Sequence, residues 1–202
     1  MKIKYFGHAC FLINTNKGSV CIDPYGDIGL AEPNISADYY FCSHEHYDHN
    51  NYKIVKGAKK LDSKINYQTL QTFHDKQNGK LRGLNNILVI NEELKVVHLG
   101  DLGEIPSQEV LQKIKNADIL FCPIGGTYTI DYLEAIKLIK TINPKIVIPM
   151  HYKIKDSKVD VDTEQNFIKN VGLGINYKES EIDINSKDLT EKTKIFLLEV
   201  AK

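Results

Sequence analysis

Apolar and polar positions alternate from the start of the chain. Lys2–Tyr5 puts Ile3 and Tyr5 on one face, and Cys10–Asn14 carries a second apolar run, so both predict strands. A turn at Asn16-Lys17-Gly18 leads into Val20-Cys21-Ile22, a third strand stopping at Asp23-Pro24. Residues 24–36 hold two prolines and two glycines among polar residues and predict a loop. Asp38–Ser43 is strand-like and runs directly into a histidine-rich segment, beyond which Tyr52–Val55 predicts one short helix. Asn86–Ile90 and Leu94–Leu99 predict a hairpin turning at Glu92-Glu93, ended by Gly100-Asp101-Leu102-Gly103.

Helical spacing takes over further on. Ser107 is placed to cap a helix running to Ile114, and Ile119–Cys122 predicts a buried strand stopped by Pro123. Leu133, Ile136 and Ile139 predict a helix over Asp131–Ile142, ended by Pro144. Lys145–Pro149 predicts a strand delivering His151. Asp162 and Gln165 read as a capping pair for a helix through Ile168, and Ile195–Val200 as the last strand. Strand meanders therefore come first and β-α-β alternation later. An α/β sandwich, two sheets packed together with helices outside, satisfies that order. No repeat, low-complexity tract or linker divides the chain, which predicts one domain over residues 1–202.

Composition narrows the class. A chain of 202 residues can bury about 70% of its unfolded surface. Lys plus Arg and Asp plus Glu number 26 each, a balance that argues against nucleic acid or an anionic membrane as the partner. No apolar run reaches the length of a signal peptide or of a membrane span. Cys10, Cys21, Cys42 and Cys122 each sit in an apolar run with no Cys-x-x-Cys pair, which predicts buried reduced thiols and a cytoplasmic protein.

Five of the seven histidines stand at predicted strand ends or in loops, four of them beside an acidic residue. The densest segment is Ser43-His44-Glu45-His46-Tyr47-Asp48-His49. Alternate residues of an extended segment face the same way, so His44 and His46 can grip one ion together. Asp48 and His49 follow where the chain turns and can face a second. Imidazole and carboxylate suit Zn²⁺, and also Mn²⁺ or Fe²⁺. His74, Asp101 and His151, each at a predicted strand end or loop, complete a ligand set at long range. Taken singly they read as a surface histidine, a turn residue and a satisfied histidine; the cluster is what joins them.

In order, His44-x-His46-x-Asp48-His49, His74, Asp101 and His151 resemble the ligand motifs of the metallo-β-lactamase superfamily. Asp23 resembles that family's first motif, an aspartate that orients the ligands from behind. The phrases Gly7-His8-Ala9-Cys10-Phe11, Arg82-Gly83-x-Asn85, His98-Leu99-Gly100-Asp101-Leu102-Gly103, Pro123–Asp131 and Ile148-Pro149-Met150-His151-Tyr152 resemble most the branch of ascorbate-6-phosphate lactonase-like proteins. The resemblance implies an αββα sandwich with two divalent metal ions at one edge. One ion takes His44, His46 and His74, the second takes Asp48, His49 and His151, and Asp101 bridges. Only about 25 residues separate His49 from His74, shorter than in many relatives, which implies that a helix and strand pair is missing there. His98, within an apolar strand, reads as a supporting or core residue.

Two close cations bring the pKa of a shared water from 15.7 toward roughly 7 and stabilise charge on a substrate oxygen. Asp48 and Asp101 are then the carboxylates nearest the chemistry, and no serine or cysteine nucleophile arrangement is visible. The expectation is hydrolysis of a small ester, lactone or phosphoester. Arg82 and His8 are candidates to hold an anionic substrate group, and Tyr128 or Tyr152 to donate to an oxyanion. Two alternatives are weaker. RNA processing would want a protruding arm and positive charge, and a di-iron redox site an acidic residue in place of His46 and a flavin domain.

Overall fold

A computed structural model describes residues 1–201. The chain opens with β1 (Lys2–Gly7), β2 (Cys10–Thr15), β3 (Gly18–Ile22), β4 (Ile35–Ser36) and β5 (Tyr39–Phe41). A 3₁₀ turn at Tyr52–Ile54 precedes β6 (Val55–Lys56), β7 (Lys59–Lys60), β8 (Tyr67–Phe73), β9 (Leu84–Asn91) and β10 (Lys95–His98). Helices then alternate with strands: α1 (Gln108–Ile114), β11 (Ile119–Pro123), α2 (Tyr132–Ile142), β12 (Ile146–Met150) and α3 (Gln165–Asn170). The chain closes with β13 (Ile175–Lys178), β14 (Glu181–Asp183) and β15 (Lys194–Leu198).

Two mixed sheets form an α/β sandwich of the expected kind. The first has the order β14-β1-β2-β3-β5-β7, and the second β13-β15-β12-β11-β10-β9-β8. Period-two patterning explains the first: Ile3, Tyr5, Phe11, Ile13, Val20 and Ile22 face the core between the sheets, while Phe6, Cys10 and Cys21 face outward. Across the core the Phe11 and Phe121 ring centroids lie 4.3 Å apart. Parallel β11 and β12 are buried at every position, which is why they read as unbroken apolar runs.

The helices are few. α2 touches α1, α3 and β11 on the second sheet. Asp131 caps α2 with a reciprocal capping box to Glu134, and Ser107 caps α1 through the Val110 N–H. The outward face of the first sheet is covered by loop residues Tyr25, Ile28, Val159 and Val161 and the short strands carrying Ile35 and Val55.

Two expectations are corrected. The span from His49 to His74 does contain a strand, β8, which forms the edge of the second sheet and leads straight into His74. Its outward Gln68, Thr69 and Gln71 hide it in the sequence, because an edge strand turns polar side chains to solvent. Asp162 does not cap α3: Glu164 stands at that N-cap and its side chain makes no capping bond to the helix backbone, while the Asp162 backbone bridges the Gly125 carbonyl and the Lys153 N–H.

Candidate metal centre

Six strands end at one edge of the sandwich, and each releases a polar residue there. His8 follows β1, Asp23 follows β3, Ser43 to His49 follow β5, His74 follows β8, Asp101 lies beyond β10, and His151 follows β12. A bulge between Tyr5 and Gly7 turns the end of β1, and His8, Asp23 and His151 all adopt left-handed backbone, at φ 55°, 48° and 51°. For non-glycine residues that conformation costs about 1–3 kcal/mol each, and such strain gathers where side-chain placement matters more than stability.

The carboxylate of Asp101 is the focus. Its Oδ2 lies 3.1 Å from His49 Nε2, 3.2 Å from His151 Nε2, 3.3 Å from His74 Nε2 and 3.8 Å from His44 Nε2. Donor atoms of His44, His46 and His74 lie within 4.8 Å of one another, as do those of Asp48, His49, His151 and His8. Two clusters thus share Asp101. His44 Nε2, His74 Nδ1, Asp101 Oδ1 and both ring nitrogens of His151 are buried without a hydrogen-bond partner. Orphaned buried polar atoms are costly, by about 1–3 kcal/mol each, and rare in native proteins. Of these, His44 Nε2 and His151 Nε2 lie beside the Asp101 carboxylate, and imidazole and carboxylate atoms gathered there without partners fit divalent cations.

Supporting contacts hold the donors in place. Asp23 accepts the Ser43 N–H and hydroxyl, both at 2.7 Å, and lies 3.0 Å from His49 Nδ1. That contact leaves Nε2 to face the site. Asn85, fully buried, accepts the Asp101 N–H at 2.9 Å and donates to Thr72 and Leu99. Ser43 and Asn85 were visible in the sequence only as members of the motif phrases; their role depends on distant partners. The backbone of Gly103 meets that of His74, and Gly125 meets the His151 carbonyl, so closely that a Cβ at either would clash.

The electrostatics match this focus. Burial lowers the pKa of His8 to about 4, with the neighbouring His151 adding to the effect, and burial lowers His44 to about 3. Burial also works against a charged His49, but Asp101 and Asp23 outweigh it and raise its pKa well above 6.5. Burial would raise Asp48 and Asp101, yet the histidines around them hold both below the usual carboxylate range.

A cavity of about 520 Å³ opens above the cluster, lined in part by Glu45, His46, Asp48, His74, Asp101 and Arg82. Tyr128 and Lys158 also line it, and the Arg82 guanidinium lies 4.1 Å from the Tyr128 ring centroid. The loop that carries Arg82 is wound around Asp75, whose carboxylate accepts four backbone N–H groups, from Gln77, Gly79, Leu81 and Arg82.

Tyr152, His98 and His8 do not line the cavity. Tyr152 packs in the main core, away from the cavity lining, so it is not placed to meet a substrate oxyanion. His98 is buried, accepts the Gly100 N–H at Nδ1 and lies 3.0 Å from the Ala9 carbonyl at Nε2, so it ties the two sheets together. His8 is 2% exposed and lies beneath the cavity, against Asp48, His49 and His151, where it cannot hold a substrate anion.

Comparison with known proteins agrees with this fold. Residues 2–151 match the profile of the beta-lactamase superfamily domain. The chain belongs to that superfamily, whose metallo-enzyme branch this sandwich and edge site resemble. More particularly, it is 31% identical over 180 residues to a UPF0173 protein of Pyrococcus abyssi, covering 75% of this chain and 83% of that protein. A UPF0173 metal-dependent hydrolase of Nanoarchaeum equitans is 30% identical over 188 residues, covering 75% and 84%. Among solved structures, a Thermotoga maritima protein assigned to the metallo-β-lactamase superfamily as a Zn-dependent hydrolase superposes with a TM-score of 0.79 at 31% identity, covering 98% and 99% of the two chains.

Proposed function

We propose that this protein is a metal-dependent hydrolase that holds two divalent cations, zinc or an ion of similar size, and cleaves a small ester, lactone or phosphoester bearing an anionic group. The observation that carries the reading is Asp101 Oδ2 with three imidazole nitrogens at 3.1–3.3 Å, beneath a cavity open to solvent. The Nanoarchaeum and Thermotoga relatives, described as metal- and Zn-dependent hydrolases, support it.

In this reading His44, His46 and His74 would hold one ion and Asp48, His49 and His151 the other, with the Asp101 carboxylate within reach of both sets. Bound cations supply water that ionises near neutral pH and a positive field for the oxygen that gains charge. The protein's own groups do the rest. Asp48, partly exposed on the cavity floor, accepts a hydrogen bond from the attacking water and orients it. Arg82, its guanidinium 4.1 Å from the Tyr128 ring centroid, presents its N–H fork to a carboxylate or phosphate on the substrate. Lys158 sits at the mouth but pairs with Asp27 at 2.8 Å, and Glu45 and Asp160 bring negative charge to the same rim. One compact anion suits that balance better than a polyanion such as RNA. Four free thiols, three of them buried, accord with a reducing compartment.

The test is turnover of a panel of lactones, carboxylic esters and phosphodiesters by metal-stripped protein reloaded with Zn²⁺ or Mn²⁺. Hydrolysis that needs added metal and favours anionic over neutral analogues is expected. Failure of every member with either ion would remove the proposal.

A further inference from the structure

His8 is the one imidazole of the cluster that the superfamily motifs leave without a role. It belongs neither to the His-x-His-x-Asp-His segment nor to the cavity wall, yet its placement is tightly held. Its carbonyl accepts the His151 N–H at 2.9 Å and the Tyr5 hydroxyl at 3.1 Å, and its backbone is held at φ 55°. Its ring centroid lies 4.2 Å from that of His151 and 4.7 Å from that of His49.

The decisive distances are at Nε2. His8 Nε2 stands 3.0 Å from His49 Nε2 and 3.3 Å from Asp48 Oδ2. The same spacing continues around the cluster, with His49 Nε2 and His151 Nε2 at 3.1 and 3.2 Å from Asp101 Oδ2. Donors about 2.1 Å from one cation are separated by about 3.0 Å at right angles and by about 3.4 Å at tetrahedral angles. The observed spacings are those of neighbouring corners of one coordination shell. A simple hydrogen-bonded histidine explains them less well. His49 Nδ1 faces Asp23, and its Nε2 is approached both by Asp101 Oδ2 at 3.1 Å and by His8 Nε2 at 3.0 Å, a crowding that a single hydrogen bond at that nitrogen does not need.

We propose that His8 is a direct ligand of the second cation, giving that position five protein donors: His8, Asp48, His49, His151 and the shared Asp101. The inference rests on the two-cation reading above and deepens it. Five donors exceed the four of a closed tetrahedral zinc site and leave room for one further ligand in a six-coordinate shell, a geometry that Mn²⁺ and Fe²⁺ accept readily. The first position, with His44, His46, His74 and Asp101, has the smaller set. The two positions therefore differ in the ion they prefer, with Mn²⁺ or Fe²⁺ favoured at the second.

The test is calorimetric titration of the metal-stripped, full-length protein with Mn²⁺ and with Zn²⁺, alongside metal counting after gel filtration. Two variants keep the left-handed backbone at this position, His8→Asn and His8→Gly, because both residues tolerate positive φ. Wild type is expected to bind two ions. Each variant is expected to bind the first ion normally and the second at least about 100-fold more weakly, a loss no smaller than that seen when a supporting partner of a metal ligand is removed. Added imidazole is expected to restore the second ion to H8G, because free imidazole can occupy the vacated corner. Two ions bound to both variants with wild-type affinity would overturn the assignment of His8 and leave the hydrolase reading standing. An equal weakening of both ions without imidazole rescue would likewise overturn it, since that is the signature of a merely structural residue. No ion bound by wild type would remove the two-cation reading and this inference with it.

Discussion

At the scale of single residues the site is a problem in sharing protons among buried groups. His49 lies between Asp23 and Asp101, and these two carboxylates raise its pKa well above 6.5 despite full burial. His8 and His44 are driven the other way, to about 4 and about 3, chiefly by burial. At pH 6 the metal-free protein therefore carries a proton on His49 and none on His8 or His44. A cation arriving at His49 Nε2 must displace that proton, whereas the other two rings have none to give up. Water on the ions, with a pKa near 7, is still largely protonated at pH 6. Titration with Zn²⁺ at pH 6 in buffers of different ionisation enthalpy should report proton release on binding, and zero release would contradict the assignment. The sign for stability follows from the same shift. A histidine whose folded pKa is raised contributes stability that is complete below about 6.5 and is lost as pH rises through the folded value, so metal-free protein loses this contribution on the alkaline side.

At the scale of elements, function sits on the turns that follow strands, and those turns are held by backbone contacts. Gly103 N–H donates to the Phe73 carbonyl at 3.0 Å, and its Cα packs directly on the His74 backbone. A methyl group there meets main chain, which cannot step aside. Gly103→Ala should displace His74 and reduce metal content toward one ion per chain while the sheets persist, as checked by metal counting and circular dichroism. The Asp75 loop makes a complementary case. Its carboxylate organises residues 77–82 and so aims Arg82, without touching the metal donors. Asp75→Ala should raise KM for anionic substrates by about 10-fold with kcat nearly unchanged, and leave KM for neutral ones alone; this is the split expected for lost uniform binding. These two cases also mark what the sequence could convey. The strands with one buried face, the capped helix Tyr132–Ile142 and the His44–His49 segment carry their signals locally, in period, cap and residue type. Edge strand β8 does not, because exposed Gln and Thr carry no apolar period. Asn85 and Asp75 do not either, because their roles are set by backbone groups that only the fold brings near. His8 shows the same limit at the site: its neighbours are residues 48, 49 and 151, and nothing beside it in the chain announces them.

At the scale of the whole molecule, the metal centre is where the two sheets meet, so cation binding and fold stability are coupled. Asp23, His44 and His49 come from the first sheet's strand ends, while His74, Asp101 and His151 come from the second's. Five buried nitrogen and oxygen atoms at this junction have no protein partner, and buried Asp101 and His49 carry charge within it. The unpartnered atoms oppose folding of the metal-free chain, and a cation that binds only the folded arrangement adds stability by mass action. The core alone still supports the sandwich, since Phe11, Phe121 and their neighbours pack without reference to the site. Chelation is therefore expected to weaken the protein without unfolding it. Free cation at 100 times its Kd contributes about 2.7 kcal/mol per site, and for a chain of this length 1 kcal/mol moves Tm by about 2–4 °C. Removing the metal should lower Tm by about 5–10 °C for one site, and restoring Zn²⁺ or Mn²⁺ should return it, which differential scanning fluorimetry can follow. The shift should grow with the logarithm of free cation concentration, because it arises from mass action and not from a fixed crosslink. A Tm indifferent to both chelator and added cation would mean that the donors at the sheet junction hold no ion, whatever their spacing.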